Sequence, residues 1–146
     1  MAMTKDMTPL LGYRLKLAQH ALHRRMEEAL KPLGLNPAQY SVLAELNARP
    51  DQTNASLAER AFITPQSMQG VLAKLEESGL VERQQDAHHG RRQLARLTPE
   101  GRAKAKAANT EIMRVEEVLE AAVLPDAVKD AVALMERLHS AMCRQG

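Results

Sequence analysis

The run Asn54-Ala55-Ser56-Leu57-Ala58-Glu59-Arg60-Ala61-Phe62-Ile63-Thr64-Pro65-Gln66-Ser67-Met68-Gln69-Gly70-Val71-Leu72-Ala73-Lys74-Leu75-Glu76-Glu77-Ser78-Gly79 decides the fold, because it holds two helix starts and a helix stop in one short span. A short polar side chain at Asn54 or Ser56 can cap the first helix by accepting a bond from an orphaned backbone N–H. Leu57, Ala58 and Ala61 then face inward, and Phe62 and Ile63 are expected to fill the turn. Thr64 is the expected N-cap of the next helix, with Pro65 in the first helical position, where its missing N–H costs nothing. Along that helix Met68, Val71, Leu72 and Leu75 recur at helical spacing and point at the core. Gln66, Ser67, Gln69, Gly70 and Lys74 are left on the opposite face, which is polar without being acidic. Gly79 ends the helix, as glycine does where the chain must turn left-handed.

Beyond the stop, Leu80 to Gln84 alternates apolar with polar, and Gln93 to Thr98 does the same around Leu94 and Leu97, so the pair reads as a hairpin. Its loop is Gln85-Asp86-Ala87-His88-His89-Gly90-Arg91-Arg92. From Glu82 to Lys106 there are seven basic residues (Arg83, Arg91, Arg92, Arg96, Arg102, Lys104, Lys106) against three acidic ones (Glu82, Asp86, Glu100). A helix-turn-helix followed by a basic-tipped hairpin can present one element to the major groove of duplex DNA and the other to an adjacent minor groove. Glutamine and serine can donate to and accept from base edges, with glutamine well matched to adenine, whereas Lys74 suits a phosphate. Taken alone, the same helix face reads first as an ordinary solvated one, and it is the context of turn and hairpin that favours DNA.

The segment resembles the winged helix-turn-helix of the MarR (multiple antibiotic resistance regulator) family of bacterial transcription factors. The resemblance is carried by Leu57-Ala58, Ala61, Ile63-Thr64-Pro65-Gln66-Ser67-Met68, Leu72, Leu75-Glu76 and Gly79-Leu80-Val81, then Asp86 with Arg91, and Leu97-Thr98-Pro99-Glu100-Gly101. It implies a homodimer that binds DNA and is released by a small molecule or an oxidant. It also implies that Arg91 is the wing arginine entering the minor groove, with Asp86 buttressing it through a charge-assisted hydrogen bond. On this reading Thr64, Pro65, Gln66, Ser67, Gln69, Gly70 and Lys74 form the DNA-contacting surface of the recognition helix, and Asp86, Arg91 and Arg92 that of the wing.

The flanks read as dimer-building helices. Leu11, Leu15, Ala18, Leu22, Met26, Ala29 and Leu33 step by three and four, predicting an amphipathic helix from about Pro9 to Lys31. Asn36-Pro37 starts a further helix in which Tyr40, Leu43, Ala44 and Leu46 turn inward, and Asn47 to Thr53 is expected to be a loop. After the wing, Thr98-Pro99 repeats the cap-plus-proline start, and Ala108, Ile112, Val115, Leu119 and Ala122 continue a long helix that Pro125 breaks. Val128, Val132, Met135, Leu138 and Met142 make a last stripe. The fold class is therefore mainly α with a small β-hairpin wing: one domain over 1–146, a winged helix-turn-helix over 36–98, and dimerisation helices over 9–34 and 99–143. A symmetric dimer would set two recognition helices about 34 Å apart, one turn of duplex, and predicts a short inverted repeat as operator.

Composition narrows the alternatives. Twenty basic and 18 acidic residues are too balanced to mark a nucleic-acid binder by total charge, so the local excess at the wing carries that argument. Two tyrosines, one phenylalanine and no tryptophan leave little for stacking bases, which disfavours RNA or single-strand binding. One cysteine excludes an internal disulfide, Met1 to Leu10 lacks an apolar signal core, and no run reaches membrane-spanning length, so a cytoplasmic protein is expected.

No metalloprotease motif, phosphate-cradling glycine loop or nucleophile elbow occurs, and no enzyme activity or cofactor is expected. His20 and His23 have a chelating spacing, with His88, His89 and His139 elsewhere, but without a cysteine–histidine–carboxylate set no metal site is assigned. Thiol-sensing branches of the resembled family carry a reactive cysteine near the start of the first helix, and none stands there, so Cys143 is expected to be incidental. The resemblance instead implies a small organic anion as effector, bound where the first and the long fifth helix meet the DNA-binding part. Arg14, His20 and Arg24 could supply positive charge there, or could be plain surface charges. The rival reading from another class is a winged module that binds a protein partner and no DNA.

Overall fold

The computed structural model describes residues 6 and 8–144. Most of the N-terminal stretch read above for a signal core, residues 1–5 and 7, lies outside the described residues. In chain order the elements are α1 (Leu11–Leu30), α2 (Pro37–Ala48), α3 (Asn54–Ala61), α4 (Pro65–Glu77), β1 (Val81–Gln85), β2 (Gln93–Leu97), α5 (Pro99–Ala122) and α6 (Val128–Cys143), with short 3-10 turns at Lys31–Leu33 and Pro125–Ala127. The architecture is mainly α with a two-stranded antiparallel hairpin, as the sequence predicts. None of the described helices is long and apolar enough to cross a membrane. The chain divides into two compact units, Met1–Ile112 and Met113–Gly146.

In the first unit the core is formed by Leu30 from α1, Val42, Leu43 and Leu46 from α2, Leu57 and Ala58 from α3, and Met68, Leu72 and Leu75 from α4. Val81 and Leu97 close it from the hairpin, and Ala105 and Ala108 from α5. At 25 cal/mol per Å² of apolar surface, each fully buried leucine contributes about 1.5–3 kcal/mol. Asn36 caps α2 through a full capping box: its Oδ1 accepts from the Gln39 N–H at 2.8 Å, and Gln39 Oε1 accepts from the Asn36 N–H at 2.9 Å.

The start of α3 differs from expectation. Thr53, in extended backbone, is the N-cap, and its Oγ1 accepts from the Ser56 N–H at 3.1 Å. Asn54 and Ser56 therefore lie inside the first turn and bond elsewhere, Asn54 Nδ2 to the Pro65 carbonyl at 2.9 Å and the Ser56 hydroxyl to Gln52 Oε1 at 3.1 Å. The expected loop before it is also shorter and more ordered. Helix α2 runs on to Ala48, and Gln52 exchanges two backbone bonds with Ala95, 3.2 and 2.8 Å, adding a single rung to the β2 side of the sheet. The buried Gln52 side chain donates to the Arg49 carbonyl at 2.7 Å, which ties the end of α2 to the start of α3. Beside it, Glu45 receives Arg49 at 2.5 Å and Arg60 at 3.2 Å. Burial works to raise its carboxyl pKa, but the bonds from Arg49 and Gln52 and the Arg60 charge outweigh it and hold the group below the usual range.

Phe62 is the second correction. It does not fill the turn: it is 89% exposed, and it caps α3 in left-handed backbone at φ 58°. That cap reverses the chain before the ring reaches the core, and Ile63 packs there instead. Thr64 and Pro65 start α4 as predicted, and Gly79 at φ 74° follows its end. In the hairpin Val81 pairs with Leu97 and Arg83 with Ala95. Strand alternation buries Ala95 and Leu97, and puts Leu94, three residues from Leu97, on the other face, half-buried.

The join of α4, hairpin and α5 is tight. The Thr98 hydroxyl donates to the Gly79 carbonyl at 2.6 Å and accepts from the Gly101 N–H at 3.0 Å. A Cβ on Gly101 would lie 1.9 Å from the Leu80 carbonyl oxygen, so only glycine lets α5 start this close to the backbone entering β1.

Along α1 burial fades toward the N-terminus, from Leu30 at 0% exposure to Leu15 at 40% and Leu11 at 63%. The second unit holds the end of α5, the Pro125 turn and α6, on which no described residue is buried. Val132 is 53%, Met135 50% and Met142 75% exposed.

Candidate nucleic-acid interface

The α3–α4 pair and the hairpin assemble one surface. Burial of Met68, Leu72 and Leu75 fixes the rotation of α4 and leaves Gln66, Ser67, Gln69, Gly70 and Lys74 exposed. Ala73, which carries no polar signal in the sequence, is exposed within the same arc, about 60° from Gly70 and 20° from Gln66 at 100° per residue. Gly70 has open space around it. The middle of the face is thus low, with Gln69 and Lys74 as its walls. At its N-terminal end the Thr64 hydroxyl donates to Ser67 Oγ and accepts from the Ser67 N–H, both at 3.0 Å, so Ser67 is part of the cap as well as of the surface.

Arg83 on β1 is a functional candidate that sequence reasoning counts only as charge. Its Nε donates to Glu76 Oε2 at 3.1 Å and its Nη2 to Glu76 Oε1 at 3.4 Å, a forked pair across the α4–β1 junction. The remaining nitrogen, Nη1, reaches Gln69 Oε1 at 3.5 Å. The helical spacing of Gln69 and Glu76, seven residues and two turns, is the signal the sequence offers.

The wing departs from the pairing that the resemblance implied. Asp86 does not buttress Arg91: it faces Arg92, Nε to Oδ2 at 3.7 Å, an ion pair beyond hydrogen-bond range. Asp86 is nearly buried, and its Oδ1 accepts from the His88 N–H at 2.9 Å. The reason lies in the loop closure. Asp86 N–H donates to the Arg92 carbonyl at 2.7 Å, and Arg92 N–H to the His89 carbonyl at 2.9 Å, which seats Arg92 opposite Asp86. Gln85 Nε2 also donates to the Gly90 carbonyl. Arg91 is exposed and carries no ion pair among the described residues.

Recognition helix and wing enclose a groove of about 500 Å³ lined by Asn54, Gln69, Arg83, Gln85, Arg91 and Arg92, among others. Three arginines and no carboxylate line it, so it suits an anionic chain. The buried Asn54 Oδ1 has no hydrogen-bond partner among the described residues.

The other predicted residues do not form one site. Arg14, His20 and Arg24 are all exposed on α1. His20 and Arg24, four apart, share a face, whereas Arg14 lies about 120° around the helix from His20. Among the described residues no group of three or more histidines, cysteines and carboxylates is placed to hold a metal. His23 lies 3.2 Å from Glu27, and Cys143 Sγ 3.4 Å from His139 Nε2 on the exposed face of α6.

Comparison with known proteins agrees with this architecture. The MarR family profile matches residues 33–92. The HTH-type transcriptional repressor Rv2887 of Mycobacterium tuberculosis is 35% identical over 130 residues, covering 89% of this chain and 94% of that protein. Its structure in complex with DNA superposes with a TM-score of 0.71 at 33% identity over 88% of this chain and 96% of that one. The complex of Rv2887 with p-aminosalicylic acid gives 0.74, at 33% identity, over 88% and 98%. The transcriptional repressor CouR, bound to a 23-mer DNA duplex, gives 0.84 at 28% identity over 93% and 99%. On sequence along nearly its whole length and on fold, the chain belongs to the MarR family of winged helix-turn-helix regulators.

Proposed function

We propose that this chain is a DNA-binding transcriptional repressor that acts as a homodimer on a short inverted repeat and is released by a small organic acid. The observation that carries the reading is the shared surface of α4 and the wing: a polar helix face beside a groove lined by Arg83, Arg91 and Arg92 and by no carboxylate. Thr64, Pro65, Gln66, Ser67, Gln69, Gly70 and Lys74 meet the major groove, with Lys74 at a phosphate. Arg91, which makes no ion pair among the described residues, enters the minor groove. Arg92 and Asp86 hold the loop that aims it. The complexes of Rv2887 and CouR with DNA support DNA as the partner.

The dimer is supported by apolar side chains the chain alone leaves in water: Leu11 and Leu15 on α1, Val132, Met135 and Met142 on α6. The effector is supported by the complexes of Rv2887 with p-aminosalicylic and salicylic acid. His20 and Arg24, on one face of α1, are the candidate carboxylate partners, and Arg14 is a weaker one because it faces elsewhere. An acid binding there acts by preferring a dimer whose recognition helices are wrongly spaced, and only its differential affinity for the two forms can shift that equilibrium.

Selection of bound duplexes from a random pool tests the reading. The expected product is a two-fold symmetric site whose affinity falls by orders of magnitude between about 50 and 200 mM salt as counterions are released. No enrichment of any duplex at low salt, with the chain captured by a protein partner instead, would favour a protein-interaction module.

A further inference from the structure

We propose that Arg83 is a positioning residue for base recognition: anchored on Glu76, it holds the Gln69 amide with its carbonyl toward β1 and its NH2 toward the groove, so that Gln69 reads a base acceptor. The inference rests on the DNA-binding reading above and adds a hydrogen-bond polarity to it. A guanidinium has only donors, so the atom of Gln69 that meets Nη1 must be the carbonyl oxygen; the reversed amide would set donor against donor. Arg83 is itself held in place. Two of its nitrogens fork onto Glu76, at 3.1 and 3.4 Å, and its side chain is only 21% exposed, so the third nitrogen is presented to Gln69 from a fixed position.

Consequences for specificity follow from what each base shows in the major groove. An unrestrained glutamine is self-complementary to adenine, donating to N7 and accepting from N6. Gln69 turns its carbonyl toward Arg83, at 3.5 Å, and so its donors outward. Guanine, with acceptors at O6 and N7, and thymine, with O4, match that offer. Cytosine, whose edge shows only the N4 donor, does not. Gln69, Arg83 and the wing arginines line the same groove, so the restrained amide sits where the duplex is expected.

The test is duplex selection with wild type, Gln69→Ala, Arg83→Lys and the double variant, with unfolding midpoints measured alongside. The lysine keeps one charge for Glu76 but lacks the fork that reaches Gln69. In wild type one position per half-site should prefer guanine or thymine over cytosine by about five- to tenfold, the scale of one donor–acceptor pair. Gln69→Ala and Arg83→Lys should each flatten that same position, and the double variant should go no further than either alone. Arg83→Lys leaving the Gln69 position sharp, or weakening every position alike, would overturn the proposal and make Arg83 a plain phosphate contact. If Arg83→Lys lowers the midpoint enough to blur the selection, Glu76→Gln, which keeps the shape but loosens the anchor, must flatten the same position, and an unchanged position overturns the proposal too. A wild-type chain that selects no duplex at all defeats the DNA-binding reading itself, an outcome distinct from a selected site whose Gln69 position ignores Arg83.

Discussion

The interior of the first unit and the terminal helices draw on the same apolar residues, with opposite results. Leu43, Leu57, Leu72 and Leu75 are at most 1% exposed, whereas Leu11, Val132, Met135 and Met142 range from 50% to 75%. Helical periodicity is as clean in the second set as in the first. A three-four stripe therefore says that a face will be covered, and does not say by what. The core stripes converge because short turns at Phe62 and Gly79 fold α3, α4 and the hairpin onto each other; the exposed residues of the end stripes are the ones the proposed second copy would cover.

The largest expected effect breaks the first side of this comparison. Gly101→Ala pushes a methyl into the Leu80 carbonyl, which is backbone and cannot swing away, so it should cost about 3 kcal/mol or more, above the usual overpacking range. Urea unfolding measures it. A change under about 1 kcal/mol would mean that α5 starts farther from Leu80 than this close approach requires.

Breaking the other side should leave the fold alone. Met135 on α6 is half exposed, so the effect of Met135→Lys on the unfolding of the monomer should stay within about 0.5 kcal/mol. If α6 lies in the dimer interface, the same change should weaken self-association by about 2 kcal/mol, roughly thirtyfold, by light scattering across a dilution series. Unchanged association would move the interface off this face.

The wing offers a finer contrast between neighbours. Arg91→Ala should cost about 1–3 kcal/mol of duplex affinity and lower the salt slope, with no change in unfolding midpoint, because nothing within the described residues pairs with it. Arg92→Ala should lower both affinity and midpoint, since it strips the counter-ion from the nearly buried Asp86. Equal midpoints for the two variants would show that the Asp86–Arg92 pair does not organise the loop.

The sequence is legible where one residue's chemistry dictates one backbone geometry. Thr64-Pro65 could only start a helix, Gly79 could only end one, and the spacing of Met68, Leu72 and Leu75 by itself sets the outward face of α4. It is illegible where competing partners are equally near in sequence. Thr53, Asn54 and Ser56 are all capable caps, and the choice falls to Thr53 because Gln52 is pinned to Ala95 of β2, a long-range contact without a local signal. Likewise Asp86 has two arginines within reach, and the backbone closure of the loop, Asp86 to Arg92, selects between them. Of the candidate site, the helix face and the wing cations are legible. The Glu76–Arg83–Gln69 chain is not, since it joins a helix to a strand whose relative placement only the packed core defines.

Phe62 carries the smallest predicted effect and bears on both sides of the comparison. A non-glycine residue in left-handed backbone costs about 1–2 kcal/mol, and an aromatic ring 89% exposed returns no packing within the chain. Phe62→Gly removes that strain but adds freedom to the unfolded chain, so the net gain should be about 0.5–1 kcal/mol, read as a higher urea midpoint at unchanged slope. If the variant is instead less stable, and by more at high protein concentration than at low, the ring is covered by another copy. Phe62 would then join Leu11 and Met135 as an apolar side chain whose partner lies outside the single chain.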